Sequence, residues 1–457
     1  MYSNKTIVAI ATPIGKGGVG IIRISGNKVK KISLFILGKI PKPRYAEYLT
    51  FFKKKKQVID KGIVLFFPRP NSFTGEDILE FHCHGGIIVL NILLKQILKI
   101  SNTRIANPGE FSLRSFLNNK IDLIQAEAIS GLIESNSIQA AKASINSLNG
   151  LFSKRIYKLI KNIISMRKFI EYIIDFPEEN TKIFSKKKFK KFLNKLINKL
   201  TILIKDSYQG KKIQEGIKIV LTGRPNTGKS TLMNSLSEHD TSIVTNIPGT
   251  TRDILHEFIY LNNVCINIVD TAGLRKVSNI IESIGIKKSW KEINNADYLF
   301  FIEESSMFFK KNIFYFNKSI KKFLKKFPKN IPLIIIINKS DLINKDFNIK
   351  KYKQYTIIIL SAKSSKDINL LKNFLKKNIL NSNNLEGVFL ARQRHISLIK
   401  KSFNCLKNIE NKFKKNIEIE FLSEELKIAQ KYLNKITGKF TSDNLLKEIF
   451  SKFCIGK

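Results

Sequence analysis

Hydrophobic and polar residues follow three different patterns along the chain. Up to residue 118, apolar runs of strand length, such as TIVAIATP, VGIIRISG and KGIVLFFP, are separated by turn residues. DILEFHCHGG is a fourth such run, and VLNILLKQILK after it has helical spacing. This first pattern predicts a mixed α+β domain.

The second pattern is long helical periodicity, which starts near residue 119. Its clearest example is FKKFLNKLINKL, whose apolar residues fall on one helical face: Phe189, Phe192, Leu193, Leu196, Ile197 and Leu200. The opposite face carries lysines, which is typical of a solvated surface, although an RNA-binding groove would have the same chemistry. Helical spacing returns after residue 380 and continues to the end.

The third pattern lies between these helical segments, where EGIKIVLTG begins a series of alternating buried strands and helices. The alternation predicts an α/β domain over residues 217–380. Helical sequence on both sides predicts one α-helical domain, residues 119–216 and 381–457, into which the α/β domain is inserted. With the α+β domain of residues 1–118, we expect three domains.

Composition adds a strong positive charge. The chain has 80 Lys and Arg against 36 Asp and Glu, a net charge of +44, which favours polyanionic partners such as RNA. The lysines accompany many Ile, Asn and Phe residues, so drift toward A- and T-rich codons explains part of the excess equally well. Four cysteines without paired spacing and no apolar run of membrane-spanning length predict a cytoplasmic protein without a membrane partner.

A phosphate-binding loop (P-loop) opens the α/β domain. GRPNTGKST, residues 223–231, follows the strand IKIVLT and precedes a helix. In this context backbone N–H groups and a helix N-terminus cradle phosphates. We expect Lys229 to reach the β- and γ-phosphates and Ser230 to bind magnesium.

Further motifs follow in the order that a GTPase requires. IPGTTRD offers Thr251 as a second magnesium ligand, and IVDTAG places Asp270 at a strand end. IIIINKSD contains Asp341, whose carboxylate can accept both N–H groups at the edge of guanine. The predicted GTP-binding residues are Asn226, Thr227, Gly228, Lys229, Ser230, Thr231, Thr245, Asn246, Ile247, Pro248, Gly249, Thr250, Thr251, Asp270, Thr271, Ala272, Gly273, Asn338, Lys339, Asp341, Ser361, Ala362 and Lys363.

One position departs from Ras-like enzymes. There a glutamine after DTAG orients the attacking water, whereas Leu274 has no hydrogen-bonding group. Either the domain hydrolyses GTP poorly or another residue positions the water.

Together these motifs resemble the tRNA uridine-modification GTPases of the MnmE (TrmE) family over essentially the full length. The segments that carry the resemblance are ATPIGKGGVGIIRISG, NPGEFSLRSFLNNKIDLIQAEAI, DFPEEN, VTNIPGTTRD, DTAGLRKVSNIIESIGI, FLARQRH and the terminal FCIGK. The family architecture has an α+β N-terminal domain and an α-helical domain interrupted by an α/β P-loop GTPase domain, as the patterns predict.

The resemblance implies a folate site and a homodimer. The N-terminal domains of the family dimerise and bind a tetrahydrofolate one-carbon donor (formyl or methylene). The matching positions are Arg23, Glu80, Lys120 and Lys457. Arg and Lys can pair with the carboxylates of folate, and Glu80 can accept from the pterin N–H groups.

The resemblance also answers the question of the attacking water. The family uses a potassium ion beside the nucleotide, held at the positions of Asn226, Thr245, Ile247 and Thr250, and positions the water through an acid that corresponds to Glu282. A cation at this place offsets charge that develops on the phosphates, as an arginine finger does.

The implied reaction installs an aminomethyl or carboxymethylaminomethyl group on carbon 5 of the wobble uridine of tRNA. A flavin-dependent partner protein, which carries the FAD and uses NADH, completes a heterotetramer. Cys454 in the terminal FCIGK is a candidate nucleophile, and a purely structural role for it stays open. Prenylation of this cysteine is disfavoured by Gly456 and Lys457.

Two other functions remain open from the sequence. One is an RNA-binding GTPase switch in ribosome assembly without modification chemistry, and the other is a decayed scaffold that only binds nucleotide. His82, Cys83 and His84 suggest packing or a folate contact rather than zinc, because no second ligand pair follows. The segment FIEESS departs from the Val-Asp typical of the family, and its distance in sequence from the nucleotide motifs predicts no effect on the site.

Overall fold

The structure is a computed structural model. It describes residues 5–13, 15–53, 57–176, 186–237, 255–261, 264–270, 289–306, 328, 331–343, 346–352, 355–378, 387–413, 419–439, 442–451, 453 and 456. The chain divides into two compact units. The first unit contains Met1–Ile133, Ser147–Ile204 and Arg394–Lys457, and the second contains Glu134–Asn146 and Lys205–Gln393. The boundaries of the three predicted domains stay a prediction.

A six-stranded sheet forms the N-terminal part of the first unit. Its strand order is β3-β4-β5-β2-β1-β6, antiparallel except for the parallel pair β1 and β6. The strands are β1 Thr6–Ile10, β2 Gly20–Ser25, β3 Glu47–Phe52, β4 Val58–Phe67, β5 Ile78–Cys83 and β6 Thr103–Ile105. Helices α1 (Val29–Leu37) and α2 (Ile87–Ile97) share its hydrophobic core. The four predicted strands and the predicted helix α2 are confirmed.

The helical part of the chain follows. Its helices are α3 Glu110–Leu117, α4 Leu123–Ile133, α5 Ile138–Leu148, α6 Leu151–Asp175 and α7 Lys186–Glu215, then α10 Gln393–Phe413, α11 Ile419–Thr437 and α12 Asp443–Ser451. In the first unit α6 packs along α11, where Arg167 Nη1 donates to Gln430 Oε1 at 2.9 Å. The predicted face of α7 is confirmed except at Phe192, which is 38% exposed. No helix among the described residues has the length and apolar character that a bilayer crossing needs.

The second unit contains a seven-stranded sheet of order β12-β13-β11-β10-β7-β9-β8. Its strands are β7 Ile217–Gly223, β8 Leu255–Leu261, β9 Val264–Asp270, β10 Tyr298–Glu304, β11 Leu333–Asn338, β12 Asn348–Tyr352 and β13 Tyr355–Ile359. The five central strands are parallel, and the edge strands β8 and β12 are antiparallel to their neighbours. Helices α8 (Lys229–Ser237) and α9 (Ser365–Asn378) cover one face.

Burial on both faces explains the apolar runs of this sheet. Phe300 and Ile336 face the core shared with α8 and α9, whereas Phe301 and Ile337 face the opposite core. Parallel strands that are covered on both faces have continuous hydrophobic sequences rather than alternating hydrophobic and polar residues. Their carboxyl ends meet at one edge of the sheet, where α/β folds bind ligands.

Candidate functional site

The P-loop connects β7 to α8 at this edge. β7 ends at Gly223, whose φ of +149° favours glycine, and a Cβ there would lie 2.2 Å from the Ile302 carbonyl oxygen. Asn226 has a φ of +62°, a left-handed conformation that asparagine tolerates better than most residues. Ser230 and Thr231 are exposed in the first turn of α8. The backbone therefore has the shape of a phosphate cradle, with a helix N-terminus directed at it.

One cation and one carboxylate lie at the cradle. The Lys229 side chain is buried, and its Nζ donates to the Arg224 carbonyl at 2.8 Å. Burial lowers the pKa of Lys229, and the charge of Asp270 opposes that shift. Burial raises the pKa of Asp270, which ends β9 opposite Leu221, and Lys229 opposes this in turn. Lys229 and Asp270 thus interact with each other at the cradle, and their roles toward phosphate and magnesium stay predictions.

Asn338 ties the P-loop to the predicted guanine loop. It is 1% exposed, its Nδ2 donates to the Thr227 carbonyl at 2.9 Å, and its Oδ1 accepts from the Ala362 backbone N–H at 2.9 Å. Gly228 leaves room for this bridge, because a Cβ there would lie 2.3 Å from Asn338 Nδ2. Three motifs that are far apart in sequence are thus fixed to one another by a single amide side chain.

Asp341 is oriented by the same loop. Ser361 Oγ donates to Asp341 Oδ1 at 2.6 Å, and the Ser361 backbone N–H donates to Asp367 Oδ2 at 2.8 Å. Lys363 is exposed beside them. A pocket of about 570 Å³ opens here, lined by residues that include Ser340, Asp341, Asp346, Phe347, Ser361 and Asp367.

The structure thus groups part of the predicted nucleotide site in the second unit. The grouped residues are Asn226, Thr227, Gly228, Lys229, Ser230, Thr231, Asp270, Asn338, Lys339, Asp341, Ser361, Ala362 and Lys363. The other predicted site residues lie outside the described residues: Thr245, Asn246, Ile247, Pro248, Gly249, Thr250, Thr251, Thr271, Ala272, Gly273, Glu282, Cys454 and Lys457. Their roles stay predictions.

The sequence interpretation of FIEESS was wrong. This segment ends β10, which lies between β7 and β11, and Glu304 is in register with Asn338. Glu304 Oε2 lies 3.1 Å from Lys339 Nζ. The contact could not be inferred from distance along the chain. The available signal was that glutamates end a central strand where family members have Val-Asp.

A second cluster of predicted residues lies on the N-terminal sheet. Arg23 and Glu80 are opposite each other on β2 and β5, and Arg23 Nε donates to Glu80 Oε1 at 2.6 Å. The Arg23 guanidinium also lies 5.9 Å from the Phe111 ring centre. His82 Nε2 lies 3.5 Å from Glu80 Oε2 and is buried without a hydrogen-bond partner in the described part of the chain. Cys83 is buried on the opposite face.

The end of the chain reaches this cluster. Arg23 Nη1 donates to the Gly456 carbonyl at 3.1 Å, and Gly456 has a left-handed φ of +94°, which favours glycine. Phe453 packs on Phe450 with ring centres 5.1 Å apart. Lys120 is exposed and lies next to Gly75: a Cβ added at Gly75 would be 3.2 Å from Lys120 Cε. The described contacts do not bring Lys120 to Arg23.

Comparison with known proteins identifies the family. The family model "GTP-binding protein TrmE N-terminus" matches residues 6–120, and "MnmE helical domain" matches residues 123–454. The chain belongs to the MnmE family of tRNA modification GTPases. The predicted fold class, an α+β N-terminal domain with an α-helical domain and an α/β P-loop GTPase domain, is confirmed, as is the predicted resemblance.

Full-length MnmE relatives support the same assignment. The tRNA modification GTPase MnmE of Baumannia cicadellinicola subsp. Homalodisca coagulata is 47% identical over 99% of both chains. Those of Proteus mirabilis (strain HI4320) and Blochmanniella pennsylvanica (strain BPEN) are each 46% identical over 100% of both chains. A solved structure of a point variant of Aquifex aeolicus Era bound to GDP.AlF4- is 21% identical, covers 41% of this chain and 66% of its own, and has a TM-score of 0.25, which is too low to support a conclusion.

Proposed function

We propose that this chain binds and hydrolyses GTP as one component of a complex that modifies carbon 5 of the wobble uridine in tRNA. The product carries an aminomethyl or carboxymethylaminomethyl group, and a tetrahydrofolate derivative supplies the one-carbon unit. The observation that carries the proposal is the Asn338 bridge, which holds the P-loop and the guanine loop together in a chain of the MnmE family. GTP hydrolysis changes conformation and adds no atom to the product.

Magnesium fits the nucleotide end of the site. Asp270 Oδ1 is buried and has no hydrogen-bond partner among the described residues, so an oxygen ligand is left for a hard cation or its bound water. Ser230 and Thr251 would hold magnesium, which would neutralise charge on the phosphates when bound. By resemblance, Asn226, Thr245, Ile247 and Thr250 would hold potassium, and Glu282 would position the attacking water.

A folate derivative fits the cluster on the N-terminal sheet. Arg23 supplies a cation, Glu80 supplies an acceptor for pterin N–H groups, and the orphaned His82 Nε2 needs a polar partner. The Arg23 contact to the Gly456 carbonyl brings this point near the end of the chain to the cluster. In the proposal Cys454 is the nucleophile, and Lys120 and Lys457 contact the folate.

The remaining partners follow from the family. We propose a cytoplasmic homodimer that joins a flavin-dependent partner protein, which carries the FAD, in a heterotetramer acting on tRNA. The excess positive charge of the chain would assist the encounter with tRNA.

Two measurements test the proposal. In a GTP titration of the full chain, Asp341→Asn should weaken binding about tenfold to hundredfold, because a charged hydrogen-bonding partner of guanine is lost. Equal affinity of the variant and the unchanged protein would remove the guanine assignment.

The second measurement is mass spectrometry of tRNA nucleosides. A host that lacks its own enzyme would receive the flavin partner with either the unchanged chain or Cys454→Ser. Modified wobble uridine that disappears in the variant would support the full proposal, and modification in both would leave the enzyme but remove the cysteine from its mechanism. No modification, with both proteins folded and GTP bound, would favour the ribosome-assembly switch or the scaffold.

A further inference from the structure

The end of β10 contacts the guanine side of the nucleotide site. β10 runs parallel to β11, and Glu304 lies opposite Asn338, so the residues that follow Glu304 reach the loop that contains Lys339 and Asp341. The sequence Glu304-Ser305-Ser306 therefore lies next to the guanine loop and contacts it at Lys339.

Two residues of this segment contact Lys339, and the third contacts Glu304. Glu304 Oε2 lies 3.1 Å from Lys339 Nζ, and Ser306 Oγ donates to the other carboxylate oxygen, Oε1, at 2.6 Å. The fully buried Ser305 donates its Oγ–H to the Lys339 carbonyl oxygen. Both the ammonium group and the backbone of Lys339 are thus held by one short segment.

Lys339 needs such support because its backbone is unfavourable. Its φ is +59°, a left-handed conformation that is unfavourable for a lysine. A free lysine side chain also loses rotamer entropy when it is ordered. The hydrogen bonds from Ser306 and Lys339 lower the pKa of Glu304, so its carboxylate is ionised near neutral pH. Contacts that fix Lys339 before binding reduce the cost of ordering it around a ligand.

We propose that Glu304 is a positioning residue of the guanine-nucleotide site, which holds Lys339 beside Asn338 and Asp341 through its carboxylate. This inference rests on the proposed GTP-binding function and assigns a role to a residue that does not itself touch the nucleotide.

Glu303 provides a matched control on the same strand. It is the adjacent residue, so its side chain leaves the opposite face of β10. It is 6% exposed, and its Oε2 lies 4.0 Å from Arg224 Nε. Burial raises the pKa of Glu303, and Arg224 opposes that shift. The Glu303 carboxylate therefore lies beside Arg224 of the P-loop, although it also interacts with the neighbouring Glu304.

A double-mutant cycle on the full chain tests the proposal. The dissociation constant of N-methylanthraniloyl-GDP would be measured with magnesium for the unchanged protein, Glu304→Gln, Lys339→Gln and the double variant. Because the Glu304 and Lys339 side chains are 26% and 34% exposed, the coupling of the pair should be about threefold. Glu304→Gln should thus weaken binding about threefold alone and have almost no effect in the Lys339→Gln background.

The control cycle uses Glu303→Gln in place of Glu304→Gln. The effects of Glu303→Gln and Lys339→Gln on the dissociation constant should be additive. Glu304→Asp keeps the carboxylate and should restore most of the affinity. Equal effects of Glu304→Gln in both backgrounds would overturn the proposal, because the residue would then act on general stability rather than on Lys339. No binding of the nucleotide by the unchanged protein would instead remove the proposed function and this inference with it.

Discussion

Glu127 is a buried carboxylate in the first unit. Its carboxylate accepts from Arg394 Nε at 2.8 Å and from Arg394 Nη2 at 2.6 Å, and His395 Nε2 lies 2.8 Å from Oε2. Glu127 and His395 are 1% and 0% exposed. Burial alone would raise the pKa of Glu127, but the charges of His395 and Arg394 outweigh it and hold that pKa far below its ordinary value. Glu127→Gln would remove the charge at nearly constant volume.

The expected loss follows from what the substitution leaves behind. Removal of one partner from a buried ion pair costs about 3–5 kcal/mol, because the remaining charge stays desolvated. The Arg394 side chain is 18% exposed and has two further contacts, to the Lys435 and Ile436 carbonyls at 3.4 and 3.3 Å. These contacts keep part of the guanidinium hydrogen-bonded. We therefore expect a loss at the lower end of this range, about 3 kcal/mol in the free energy of unfolding.

Urea unfolding of the full chain measures this loss. Far-UV circular dichroism reports mainly the helices, and fluorescence of Trp290, the only tryptophan, reports the second unit. The helical transition of Glu127→Gln should move to lower urea. The Glu127 carboxylate contributes its full share to the free energy of unfolding above the pKa that it has in the unfolded chain, about 4.5. This share is lost as the pH falls toward the lower pKa of Glu127 in the folded protein. The difference between variant and unchanged protein should therefore shrink below about pH 4.5.

Glu171→Gln is the matched control, because Glu171 is 44% exposed in its pair with Arg167. Exposed pairs of this kind contribute about 0.5 kcal/mol. A Glu127→Gln loss below about 1 kcal/mol, or one no larger than that of the control, would refute the reasoning from burial.

Two further predictions concern the glycine at the P-loop and the buried thiols. Gly228→Ala should weaken GTP binding at least tenfold in a titration while circular dichroism stays unchanged, because its Cβ would lie 2.3 Å from Asn338 Nδ2; retained affinity would show that the Asn338 bridge is dispensable. Burial raises the pKa of three thiols to about 12, 11 and 12. These thiols belong to Cys83, Cys265 and Cys405. They should resist a thiol-specific disulfide reagent at pH 8 in the native protein and react with it in urea. Fast reaction of these three thiols in the native protein would contradict their burial.

The predictions that failed concern residues whose environment depends on distant parts of the chain. Phe192 has the spacing of a core residue but is 38% exposed, and spacing alone does not show which positions a neighbouring element covers. The strand β3 was not among the predicted strands, because its buried and exposed positions alternate little; it pairs antiparallel with β4. Glu304 was misread because its partner lies 35 positions along the chain.

The sequence by itself determined the features that are local. These features are the P-loop, the strand that precedes it, each single guanine motif and the amphipathic helices, and each depends on residues that lie close together in the sequence. Those short-range steric and hydrogen-bonding rules are readable from a single segment, and they were sufficient to indicate a GTPase fold and its family resemblance.

Only the tertiary structure decided which charges meet. Arg23 contacts Glu80, which is 57 positions away in the sequence, and Gly456, which is 433 positions away. Arg394 contacts Glu127, which is 267 positions away. A buried ion needs a partner at hydrogen-bonding distance, but the pattern of a helix or strand does not say which distant segment supplies it. The packing of the chain makes that choice, because it brings together groups that no local rule connects.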